Sequence, residues 1–67
     1  MATLLSDLKD GKRYSVYDAR AKADLFFTVT INGGKTMIVF EDTRIPPGPY
    51  DPVLLFDNKE WDSIKDA

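Results

Sequence analysis

The sequence predicts a single α+β domain: a short N-terminal helix, a three- to four-stranded antiparallel β-meander able to curl into a small barrel, and a capped C-terminal helix. Three observations predict it. The stretch Leu25–Phe40 carries β-type residues on either side of Gly33-Gly34, the pattern of a hairpin. Asp57 and Glu60, flanked by Phe56 and Trp61, spell the start of a helix. Sixty-seven residues, 43% of them apolar, suffice for one compact core and no more.

Residues 3–10 suit a short helix, with Thr3 as N-cap, Leu4 and Leu8 on one side, Leu5 beside them, and Gly11 at the left-handed position after its end. Two turns do not stand alone, so these leucines are expected to dock on the sheet. Lys12–Asp18 sets Tyr14 and Val16 against Ser15 and Tyr17, as a half-buried strand does. Ala19–Asp24, rich in alanine and charge, reads as the loop leading into the hairpin.

The hairpin register follows from burial. A turn at Gly33-Gly34 sets Ile31 opposite Thr36, Val29 opposite Ile38 and Phe27 opposite Phe40, which gathers five apolar side chains on one face. A turn at Asn32-Gly33 would set Val29 against Thr36 and Ile31 against Gly34, and bury less. The first register leaves Phe26, Thr28, Thr30, Met37 and Val39 on the second face. Hiding Phe26, Met37 and Val39 is worth several kcal/mol at about 25 cal/mol per Å². A chain this short has little material to spare for that purpose.

Arg44–Pro52 breaks the pattern. Four prolines in seven residues argue against a helix and remove the donors of a central strand, so the segment is expected to be a stiff, extended crossover arm. Val53–Phe56 then reads as a short buried strand, the fourth. From Asp57 onward a capping box (Asp57 with Glu60) and a hydrophobic staple (Phe56 with Trp61) open the last helix. Trp61 and Ile64 should face inward, with Lys65 in the last turn where the helix dipole favours a cation. Phe27-Thr-Val-Thr-Ile31 and Met37-Ile-Val-Phe-Glu-Asp42 resemble the central strands of Tudor-like or SH3-like barrels in their general β pattern. That resemblance implies an SH3-like barrel as one way for the meander to close.

Histidine and cysteine are both absent, which excludes disulfides, Ser-His-Asp and Cys-His catalysis, and the usual zinc sites. The nearest carboxylate pairs have simpler roles than acid–base chemistry: helix-terminal charge for Asp7 and Asp10, a strand end for Glu41 and Asp42, and capping for Asp57 and Glu60. Asp57–Asp62 lacks the alternating ligands, central glycine and distal glutamate of a calcium loop. Gly33-Gly34 is too short to cradle a phosphate. The expectation is a chain that is not an enzyme and needs neither cofactor nor metal.

A net charge of −2, from 11 acidic and 9 basic residues, disfavours nucleic-acid binding by bulk charge, yet the acids are too dispersed for a nucleic-acid mimic. The longest apolar runs, Met37–Phe40 and Val53–Phe56, fall far short of a membrane span, and the first residues lack the features of a signal peptide. A soluble cytoplasmic protein is expected.

Binding remains. The leading expectation is a small protein-interaction module, an accessory, inhibitor or assembly factor of the kind phage genomes carry. Its docking surface would be the second hairpin face (Phe26, Thr28, Met37, Val39), the proline arm (Arg44, Pro46, Pro47, Pro49, Tyr50), or both. Pro46-x-x-Pro49 and Pro49-x-x-Pro52 match the PxxP spacing read by aromatic grooves, although a rigid crossover with Tyr50 packed on the body explains the same residues. Two alternatives stand beside it. One is a structural or coat-associated subunit that self-associates through its hairpin edges. The other is a single-stranded nucleic-acid-binding small barrel that stacks bases on Tyr14, Tyr17, Phe26 and Tyr50.

Overall fold

The computed structural model describes residues 4–46 and 48–67. Four strands, β1 (Arg13–Asp18), β2 (Ala23–Asn32), β3 (Lys35–Phe40) and β4 (Lys65–Asp66), form one antiparallel sheet in the spatial order β3-β2-β1-β4. A single 3-10 turn (Leu5–Asp7) precedes the sheet. Two short helices, α1 (Pro52–Leu55) and α2 (Asn58–Ser63), lie between β3 and β4 in the chain. β3 and β4 stand at opposite ends of the sheet, and among the described residues no pairing joins them to close a barrel.

The hairpin turns where two glycines allow it. Gly33 and Gly34 have φ of 60° and 81°, and a tight two-residue turn with positive φ at both positions matches the twist of the strands it joins. This sets Asn32 opposite Lys35, Val29 opposite Ile38 and Phe27 opposite Phe40, the register that buries more. β1 pairs with β2 through Tyr14 opposite Phe27 and Val16 opposite Leu25. The intervening turn is tightened by the Arg20 N–H, which donates to Asp18 Oδ1 at 2.9 Å.

These pairings bring Tyr14, Val16, Leu25, Phe27, Val29, Ile38 and Phe40 to one face, where the core forms. Phe27 is fully buried at its centre, with the rings of Tyr14, Phe40 and Phe56 at 5.9, 5.9 and 5.6 Å. Trp61 meets Phe56 edge-on at 5.6 Å, so the staple is formed as the sequence predicts. The capping box is formed too: the Glu60 N–H donates to Asp57 Oδ1 at 2.8 Å, and the Asp57 N–H to Glu60 Oε1 at 3.2 Å.

Four expectations are corrected. The N-terminal helix is only the 3-10 turn. Leu8 docks in the core while Leu4 and Leu5 stay exposed, and the segment is tied down by the Tyr14 hydroxyl, which accepts from the Lys9 N–H at 3.0 Å. Thr3, expected as its cap, lies outside the described residues. Val53–Phe56 is not a strand. Asp51 accepts from the Val53 N–H at 3.0 Å and Pro52 takes the first helical position, where its missing N–H costs nothing, so a helical turn starts inside the proline segment. Only Phe56 of that run is buried.

The remaining two corrections concern the C-terminus. The fourth strand is β4, which pairs Lys65 with Ser15 and Asp66 with Tyr14. Lys65 therefore does not sit in the last turn of α2. That helix ends at Ser63, whose hydroxyl donates to the Glu60 carbonyl at 2.8 Å and accepts from the Tyr17 N–H at 3.0 Å. A strand edge with unpaired backbone groups competes for the chain here, and pairing with it satisfies more of them than another helical residue would.

Candidate functional site

The second face of the hairpin is built by alternation along β2 and β3. Because Phe27, Val29, Ile38 and Phe40 point to the core, Phe26, Thr28 and Thr30 of β2 and Met37 and Val39 of β3 project from the opposite side. Thr28 lies directly across from Val39, and Thr30 from Met37. Phe26 remains 38% exposed and Val39 42%, while Thr28 and Met37 are half-buried. The packing partners of the core come from the other side of the sheet, so the chain uses its helices there and leaves this face open.

One polar device crosses the face. The Arg13 guanidinium lies 4.4 Å from the centroid of the Phe26 ring and holds Glu41 through both carboxylate oxygens, the shortest contact being 2.8 Å. The hydrogen bonds from Arg13 hold the Glu41 carboxyl below its ordinary range, and the same contact raises Arg13. The pair is exposed and screened by water, so it orders the ring more than it stabilises the fold. The result is an apolar strip bordered at one end by a fixed ion pair.

The proline arm does not join that strip. The Tyr50 backbone pairs with Ile38 in both directions (2.9 and 2.8 Å), its ring lies 5.8 Å from Phe40, and its hydroxyl donates to the Pro46 carbonyl at 2.6 Å. The arm is therefore a loop folded along the edge of β3, with Tyr50 on the core side. Pro46 and Pro49 are exposed, and Arg44 pairs with Asp42 at 2.8 Å, which holds the Asp42 carboxyl below its ordinary range. Pro47 lies outside the described residues. The candidate residues thus separate into Phe26, Thr28, Met37 and Val39 on one side and Tyr50 on the other. The aromatic platform also divides, because Tyr14 is buried in the core.

Two further features escaped the sequence reading. A cleft of about 570 Å³ opens on the core side, walled by Leu25, Phe40, Ile45, Tyr50, Leu55 and Phe56. Beside it, Val53, Leu54 and Leu55 are exposed on α1. The Asp51-Pro52 pair was the available signal for α1; nothing local announces the cleft, because its walls come from distant parts of the chain. Among the described residues, no group of three or more acidic side chains is placed to hold a metal ion, and no helix is long and apolar enough to cross a membrane.

No protein-family model matches the chain, and neither a curated protein nor a solved structure matches it.

Proposed function

We propose that this chain is a small non-catalytic protein-interaction module that docks on a larger protein through the outer face of its hairpin, in an accessory, inhibitory or assembly role. The observation that supports the reading is the exposure of Phe26 and Val39 on the face of the hairpin opposite Phe27, Val29 and Ile38, which are fully buried in the core. Covering a half-exposed aromatic or aliphatic side chain is worth about 1–2 kcal/mol, so the strip offers a useful share of a binding energy. A row of side chains along two paired strands suits a protein surface more than a small ligand, which needs concavity.

Edge-to-edge self-association fits less well. The outer edge of β1 is taken by Ser63, β4 and Ala67, and the middle of the β3 edge by Tyr50. Affinity capture from the native host tests the proposal, comparing the native chain with Met37→Asp and Val39→Asp variants whose folding is verified by circular dichroism. A partner retained by the native chain and lost by both variants is the expected result. Full retention by both folded variants would remove this face as the interface.

A further inference from the structure

The chain places glycine directly after an aspartate or asparagine at two positions, Asp10-Gly11 and Asn32-Gly33, and the fold holds the two in opposite ways. Both pairs are open to one reaction. The glycine backbone nitrogen attacks the side-chain carbonyl carbon of the residue before it, and no Cβ obstructs the approach. At Asp10-Gly11 both reacting groups are engaged. The Gly11 N–H donates to the Val29 carbonyl at 2.7 Å, and Asp10 Oδ1 accepts from the Ile31 N–H at 2.9 Å. The same two bonds tie the segment before β1 to β2.

At Asn32-Gly33 neither group is engaged. Both residues are exposed at the tip of the hairpin, and a Cβ placed on Gly33 would meet nothing within 4 Å, so water and base reach its nitrogen. Among the described residues no hydrogen bond occupies the Gly33 N–H or the Asn32 side chain. What holds the Asn32 backbone extended is its pairing with Lys35. That is the last pair of the ladder, and ladder ends open at the lowest cost.

From this contrast we propose that Asn32 is a site of spontaneous deamidation in the folded protein, while Asp10 is shielded from the parallel isomerisation. The Gly33 nitrogen, its proton taken by solvent base, bonds to Asn32 Cγ. The Cγ–Nδ2 bond breaks and ammonia leaves, closing a succinimide ring that water then opens at either carbonyl. Breaking the new N–Cγ bond restores the original backbone and leaves an aspartate, whose carboxylate stands across the ladder from Lys35. Breaking the old peptide bond routes the backbone through the side chain as isoaspartate, one methylene longer. That extra length falls directly before a turn built on positive φ at Gly33 and Gly34, and takes the pairing with Lys35 out of register. The first product keeps the hairpin intact, and the second frays its tip.

Incubating the native chain in mildly alkaline buffer, with peptide chromatography and mass spectrometry as the readout, tests the proposal. The same chain in concentrated guanidinium chloride is the unfolded reference. Asn32 should convert at a rate within about tenfold of that reference, whereas isomerisation at Asp10 should slow by more than about tenfold, since two hydrogen bonds must open first. Asn32→Ser should abolish the conversion at the tip. Once separated, the aspartyl form should keep the amide resonances of residues 31–36 and match Asn32→Asp, while the isoaspartyl form should lose their dispersion. An Asn32 that stays amidated while the unfolded chain converts overturns the proposal, as does an Asp10 protected no better than Asn32. A tip equally ordered in both products refutes the shift of register. The hairpin-face proposal is tested separately, through Met37→Asp and Val39→Asp.

Discussion

Phe26 and Phe27 are neighbours in one strand with the same side chain and opposite fates. Phe27 is fully buried and touches three aromatic rings, while Phe26 stands on the open face beneath an arginine. Hydrophobicity cannot separate them, and neither can local propensity. What separates them is supply: the helices, the N-terminal turn and the folded arm all pack on one side of the sheet, and the period of two sends alternate residues away from that side. The lesson is that burial in a small sheet protein is decided by where the few covering elements go.

The comparison is broken first at Phe27. Phe27→Ala should cost about 3–5 kcal/mol in urea unfolding, enough to leave a domain of this size largely unfolded. A loss below about 1 kcal/mol would mean the aromatic cluster does not form. Next comes the element that brings cover to the core side. Asp57→Ala removes the cap of α2 and should cost about 1 kcal/mol by the same measurement, with Asp57→Asn recovering most of it.

Phe26→Thr sharpens the contrast from the other side. On an uncovered face the substitution should change stability by less than about 1 kcal/mol, since threonine suits a strand and little burial is lost. A cost approaching that of Phe27→Ala would show that the outer face is covered in solution. The smallest effect is electrostatic. Glu41 has its carboxyl lowered from 4.5 by Arg13, so the unfolded chain holds that proton more tightly than the folded one. The contribution is present in full above pH 4.5 and is lost as pH falls through the lower folded value. The stabilities of the native chain and Glu41→Gln should therefore differ above pH 4.5 and converge as pH falls below it.

Much of this arrangement is legible in the sequence, and the reasons differ by region. Gly33-Gly34 and the period of two fix the hairpin because each acts within a few residues. The capping box at Asp57 and the staple to Trp61 are legible for the same reason. Val53–Phe56 misleads because four apolar residues carry no period, so the run suits a buried strand and an exposed turn equally. The Asp51-Pro52 pair would have decided it, yet four closely spaced prolines pointed toward an extended arm. β4 is only two residues long and has no pattern to read; the need of the β1 edge creates it. The exposed hairpin face was legible as a shortage of cover, whereas the cleft depends on Leu25, Ile45 and Leu55 meeting in space.

The last residues carry a consequence of their own. Ala67 donates its N–H to the Arg13 carbonyl at 3.3 Å, and Lys65 and Asp66 pair with Ser15 and Tyr14, so the tail shields the flank of β1 like a selvedge on cloth. Proteolytic trimming of 64–67 would strip that flank of its hydrogen bonds and withdraw Ile64 from the core at the same stroke. A strand flank left bare in this way offers unpaired backbone groups to any neighbouring chain, so these few residues guard β1 against unwanted pairing.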